Sequence, residues 1–198
     1  MIPKLSDHRG SVKDSRHSGF TLIEVLVTLL IFSIGLLGYA ALQSRAQQAQ
    51  IEVYQRVYAL NLVDYMVDQI RSNPEARGCY GLATVEVGTG YSSAYSCSSY
   101  GTADTQAQVV SAVNDWSSLL QGAGEVSAGN NVGGLLNARG CIAYDDVNEA
   151  YRVSVVWQGL VETVAPIATT CGNTSYGGSA SKLRRAVTYL LQMPDLGG

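Results

Sequence analysis

The sequence predicts an α+β fold. A long N-terminal helix, apolar all round in its first half and amphipathic in its second, is expected to pack on a small antiparallel β-sheet, with one additional short helix. Three observations predict this. An apolar run broken by a single charge, Glu24, spans Phe20 to Leu42. Apolar residues then recur at helical steps from Ala46 to Ile70. The C-terminal third turns to runs of β-branched and aromatic residues.

Residues 1–18 show no apolar periodicity and carry Lys4, Arg9, Lys13 and Arg16. A basic flank of this kind stays on the cytoplasmic side, so the chain beyond the membrane segment is expected on the far side. The run from Phe20 to Leu42 would span roughly 35 Å as a helix, against a hydrocarbon core of about 30 Å. A secretory signal has a shorter apolar core, about 7–15 residues. Here the helical pattern passes straight through "GYAALQ".

From Ala46 the apolar stripe continues at Ala49, Val53, Val57, Leu60, Val63, Val67 and Ile70. Every step is three or four residues, the period of one helix face. Leu62 and Met66 widen the stripe, while Arg45, Glu52, Arg56, Asp64, Asp68 and Arg71 mostly take the other side. The stripe is expected to be core. Pro74 ends the helix, after an Asn73 biased toward extended geometry. One helix is therefore predicted from about 20 to 72.

Residues 78–103 are rich in Gly, Ser and Tyr. "LATVEV" (82–87) reads as a short strand and the remainder as a loop pinned by Cys79 and Cys97. In "DTQAQVVSAVNDWSSLLQG" (104–122), Val109, Val113, Trp116 and Leu120 fall on one face. Asp104 is the expected N-cap and Gly122 the stop of a short helix. The Gly-rich stretch 122–134 reads as a linker with a short strand at "EVSA". Strands are then predicted at "GCIAY" (140–144), "AYRVSVVWQG" (150–159) and "LRRAVTYLLQ" (183–192). In the second, Tyr151, Val153, Val155 and Trp157 alternate with Arg152, Ser154, Val156 and Gln158, a half-buried pattern. "DDVNE" is the hairpin turn before it. The connection 160–182 is expected to be exposed, tied back to the sheet at Cys171.

The four cysteines, Cys79, Cys97, Cys141 and Cys171, all lie beyond the apolar run and include no close pair. Zinc sites bring ligands in close pairs, so no metal is expected. Two disulfides in an oxidising compartment fit better. Four cysteines allow three pairings, and the sequence does not choose among them. The sequential pairing, Cys79–Cys97 and Cys141–Cys171, closes each loop locally and is the expectation, at about 3–4 kcal/mol per bridge.

Composition and motifs exclude several functions. Without residues 1–19 the chain holds nine basic and fourteen acidic residues, a formal charge of −5. A nucleic-acid binder needs a basic footprint, so that class is disfavoured. Both histidines, His8 and His17, lie in the basic flank. The remainder has none for Ser-His or Cys-His chemistry. "SASK" (179–182) matches S-x-x-K without its companion motifs. There is no phosphate-binding loop and no G-x-S-x-G. No enzyme activity and no cofactor are expected. Arg184–Arg185 reads as a solvated pair rather than an anion site.

The pattern around Glu24 carries a resemblance. A polar basic leader ends in Gly19, followed by Phe20 and the apolar "FTLIEVLVTLLIF", with Glu24 four residues after Phe20. This resembles the class III signal of type IV pilins and pseudopilins over about 40 residues. More scattered features, "DQIRSNPEA", the tryptophan-bearing helix, and "VVWQG" with the later "CG" and "RRAV", resemble minor pilins of the PilV kind. The resemblance implies a pilin-like fold and three regions. Residues 1–19 would be a cleaved cytoplasmic leader, 20–43 the transmembrane and filament-core half of the helix, and 44–198 a periplasmic pilin domain. A prepilin peptidase would cut between Gly19 and Phe20, and Phe20 would be N-methylated. The protein would wait in the inner membrane and then enter a pilus at the cell surface. Its implied partners are other minor and major pilins and the inner-membrane assembly machinery. Its implied role is in the priming or tip complex that supports pilus biogenesis and twitching motility. The alternatives are a minor pseudopilin of type II secretion and a tip-displayed adhesin using "GYSSAYSCSSYG" (90–101). The membrane half carries Gly35 and Gly38 in place of the proline that loosens this helix in most filament pilins.

Glu24 has a physical reading beside the family one. A charged acid within the membrane costs about 2.5–3.5 kcal/mol. Cleavage would create a cationic amine on Phe20 to offset that cost. The carboxylate also sits one turn from a helix N-terminus, where the dipole favours it. Between subunits, Glu24 is expected to pair with a neighbour's Phe20 amine. The stripe from Ala46 to Ile70 then serves as core and as filament contact.

Overall fold

The computed structural model describes residues 19–81, 85–91, 95–145, 147–176 and 181–193. The basic flank, residues 1–18, lies outside these. Helix α1 runs from Leu22 to Ser72, with Glu24 in its first turn and Arg71 in its last. It contributes to two compact units, one ending at Arg45 and the other beginning at Ala46. In the first unit every described residue is exposed. This part of α1 is long and apolar enough to cross a membrane. Two of its hydroxyls are satisfied on the helix itself: Thr28 Oγ1 donates to the Val25 carbonyl at 2.9 Å and Ser33 Oγ to that of Leu29 at 2.7 Å.

The second unit is an α+β domain. Strands β1 (Val85–Gly88), β4 (Arg139–Asp145), β5 (Ala150–Gln158) and β6 (Arg184–Gln192) form an antiparallel sheet in the order β1-β4-β5-β6. In this sheet Val153 lies between Ile142 and Tyr189. Val126–Ser127 (β2) and Asn130–Asn131 (β3) pair as a minimal hairpin in the Gly-rich stretch. Residues 82–84 of the predicted "LATVEV" strand and Asp146 of the hairpin turn lie outside the described residues.

α1 covers the inner face of the sheet. Ala59, Leu62, Val63, Met66, Val67 and Ile70 join Tyr151, Val153, Val155 and Trp157 in one buried cluster. The expected stripe needs correcting at its N-terminal end. Val53, Val57 and Leu60 are exposed, and Gln55 and Ala59 take the buried positions instead. Gln55 reaches the core because its Oε1 accepts from the indole Nε1 of Trp157 at 3.3 Å. A buried amide with a partner escapes the desolvation penalty that would otherwise exclude it.

Helix α2 (Ala103–Leu120) buries Val109, Ala112, Val113, Trp116 and Leu120. Its N-cap is Thr102, not Asp104. Thr102 and Thr105 exchange side-chain and backbone bonds in a capping box, which satisfies two otherwise orphaned amides. Asp104 lies in the first turn, where its charge suits the dipole. Gly122, at φ +86°, turns the chain away after the helix. A β-carbon there would lie 2.0 Å from the Gly133 carbonyl oxygen. The two helices are joined where α1 stops: Asn73 Nδ2 donates to the Thr105 carbonyl at 2.9 Å.

The connection 160–182 is exposed as expected over 160–164 and at 167 and 168, and is tied back at Cys171, but its later part is not all exposed. Thr169, Cys171 and Tyr176 are buried against the outer face of the sheet, where Val156, Cys141, Cys171 and Tyr176 form a second apolar cluster. The other face of β5 is therefore covered too, and Ser154 is buried with its hydroxyl bonded to that of Thr188 at 3.1 Å. Residues 177–180 lie outside the described residues.

Candidate functional site

The segment at the start of α1 is the strongest candidate. Gly19 and Phe20 precede the helix, are fully described, and are exposed, Phe20 at 85%. Thr21 heads the first turn: its carbonyl accepts from the Glu24 amide at 3.1 Å and its hydroxyl from the same amide at 3.4 Å. This fixes Glu24 one turn into the helix. Its carboxylate has no ion pair or hydrogen bond among the described residues. Glu24 is thus an acid in an otherwise apolar stretch of helix, with no partner among the described residues. At Gly35 and Gly38, a β-carbon would meet no atom within 4 Å beyond the helix's own backbone.

The cysteines form two bridges. Cys79–Cys97 joins the short 3-10 turn Arg77–Gly81 to the Tyr/Ser-rich loop, with 5.6 Å between α-carbons. Cys141–Cys171 fastens the long connection to β4 at 5.9 Å. The tyrosines around the first bridge are largely built into the domain. Tyr95 OH donates to the Cys79 carbonyl at 2.5 Å, and Tyr151 OH to that of Arg77 at 3.0 Å. Burial pushes both phenols up to about 12 and drives those of Tyr80 and Tyr176 higher still. The exposed tyrosines of the loop are Tyr91 and Tyr100. The Arg139 guanidinium lies 5.4 Å over the Tyr91 ring and is paired with Glu86 at 3.2 Å. Residues 92–94 of the loop lie outside the described residues.

Arg184 and Arg185 are not a solvated pair. Arg184 is 5% exposed. Its guanidinium donates to the carbonyls of Pro166 at 2.7 Å, Thr169 at 3.0 Å and Cys171 at 2.5 Å. Burial lowers its pKa from the ordinary arginine value. Arg185 pairs with Glu52 of α1 at 3.2 Å and donates to the Val161 carbonyl at 2.8 Å. Both arginines fasten the connection to the sheet, which leaves neither free for an anion. Sequence reasoning missed this because a guanidinium can satisfy itself on backbone carbonyls that no side-chain pattern announces.

Of the S-x-x-K match, Ser179 lies outside the described residues, and Lys182 pairs with Glu162 at 3.8 Å. Among the described residues, no group of three or more His, Cys, Asp or Glu side chains is placed to hold a metal ion.

Comparison with known families covers the first half of the chain. Residues 14–40 match the prokaryotic N-terminal methylation motif. Residues 41–112 match the family described as type IV pilin Tt1218. No curated protein and no solved structure matches the chain.

Proposed function

The chain is a type IV pilin, and from that premise we propose that it is a minor pilin of the priming or tip complex in pilus assembly. The family is structural, and its members are processed by a prepilin peptidase and assemble with other pilins in a membrane machinery. On this reading the peptidase cuts between Gly19 and Phe20, and Phe20 is then N-methylated. The protein waits in the inner membrane with its domain in the periplasm and has no enzymatic role.

One observation carries the reading: Glu24, with no partner among the described residues, lies four residues after an exposed Phe20 at the head of an apolar helix. The amine freed on Phe20 supplies the missing cation. Pairing that amine with a neighbour's Glu24 sets the axial register between subunits in a water-poor core, where an ion pair is strong.

The test is deletion and complementation in the native host. Loss of twitching motility, with the protein present at trace level in sheared filaments, is the expected result. Normal twitching with impaired enzyme secretion would transfer the chain to type II secretion. The tip-adhesin reading draws on the exposed Tyr91 and Tyr100. Removing residues 85–100 would then abolish attachment while leaving piliation intact.

A further inference from the structure

β6 closes the sheet on one side and leaves the other side open. It pairs with β5 over all nine residues, Arg184–Gln192, in unbroken register. Among the described residues, the strand order places nothing beyond it. From Arg185 to Gln192, no backbone bond reaches it from the outer side among the described residues. Natural sheets blunt such an edge with charge, proline, a bulge or brevity. Residues 186–192, "AVTYLLQ", have neither charge nor proline, and the register has no bulge. The opposite edge, β1, is only four residues long.

A second, independent feature lies beside this edge. A groove of about 310 Å³ is lined by Ala49, Val53 and Arg56 of α1, by Trp157, and by Arg185 and Ala186 of β6. Its walls are mainly apolar, and Val53 is 63% exposed. Arg185 is neutralised by Glu52. Arg56 is exposed and has no acid or other partner among the described residues. The groove therefore offers apolar surface next to an unpaired cation, alongside a row of unpaired backbone groups.

We propose that β6 and this groove form a docking surface for an extended segment of a partner protein, which adds to β6 as a fifth strand and fills the groove with its side chains. Backbone bonds to the edge supply attachment, and alternate side chains supply selectivity. Side chains on the α1 side of the added strand repeat about every 6.7 Å. One seats its apolar group on Val53 and Trp157, and a neighbour on the same face carries a carboxylate to Arg56. A second copy of this chain fits poorly as the occupant, because residues 186–193 contain no acid to meet Arg56. The proposal goes beyond the pilin reading and does not depend on it.

The test uses the full-length chain in nanodiscs. The probe is a capped heptapeptide with threonine at odd positions and glutamate, valine and valine at the even ones. The peptide is expected at millimolar concentration to slow hydrogen exchange of β6 amides. Two twins, each N-methylated on one alternate set of amides, separate strand addition from simple adhesion: one twin loses the effect and the other keeps it. Arg56→Glu is expected to switch preference from the glutamate peptide to its lysine counterpart, by about fivefold, the scale of an exposed ion pair and its reversal. Absence of protection, equal behaviour of the twins, or unchanged preference in Arg56→Glu would each overturn the proposal. So would a Thr188→Cys disulfide dimer formed through β6, which would make the occupant a second copy. None of these readouts measures filament entry, so failure here leaves the pilin reading standing.

Discussion

The indole Nε1 of Trp116 donates to the main-chain carbonyl of Leu62 at 2.9 Å, joining the second helix to the first across 54 residues of sequence. The same ring lies against the sheet: a β-carbon at Gly140 would stand 2.4 Å from its Cη2. One side chain thus meets both helices and β4. Trp116→Phe is expected to cost about 1 kcal/mol through the lost bond. Trp116→Ala is expected to cost about 3–5 kcal/mol through the cavity. Urea unfolding of the chain in detergent measures both, and an undiminished stability in Trp116→Phe would show that the bond is immaterial.

Arg184 is the clasp of the outer layer. Arg184→Met keeps the apolar stem and leaves three carbonyls without their donor. A loss of about 3 kcal/mol is expected. Limited proteolysis should then cut first between residues 160 and 176, with exchange in α2 unchanged. Cleavage spread evenly over the domain would contradict the assignment.

Stability should fall at alkaline pH. Burial holds the phenols of Tyr95 and Tyr151 at about 12 in the folded chain, against about 10 when free. Above about pH 10 the unfolded chain sheds protons that the folded one keeps, so each further rise favours unfolding. The contribution is complete below that pH and is lost as pH rises toward 12. Thermal midpoints across this window check the slope, which Tyr95→Phe should reduce. A flat profile would refute it.

Glu24→Val should leave processing intact and impair filament entry. The substitution removes the charge without shortening the apolar helix, so membrane insertion is kept or improved. Immunoblots of membrane and sheared-filament fractions separate the two steps. Normal incorporation would remove the pairing role from Glu24.

The long helix, α2 and the three C-terminal strands were legible because each repeats apolar residues at its own period. The choice of buried face was less legible. Between Ala46 and Leu60 the apolar stripe and the buried face diverge, since Gln55 is drawn inward by Trp157, 102 residues away. Thr102 was hidden behind Asp104 because both are good caps. Only the reciprocal threonine pair decides between them. The covered outer face was hidden for a similar reason: the buried Thr169 and Arg184 are polar by letter, yet the Arg184 terminal nitrogens are bonded to main-chain carbonyls, one of them that of Thr169. At the candidate site, the spacing of Gly19, Phe20 and Glu24 is local and could be read directly. The β6 groove joins residues far apart in the chain and could not.

The ties between Glu52 and Arg185 and between Gln55 and Trp157 also set an order of events during synthesis. They span 133 and 102 residues. Contacts so distant reward the chain only after a large loop has closed. A polypeptide made from its N-terminus therefore carries the part of α1 around Glu52 and Gln55 without these partners until β5 and β6 have been made. The last strand is also the one that clasps the outer layer. A product ending before Arg184 would not be a smaller domain but an open one.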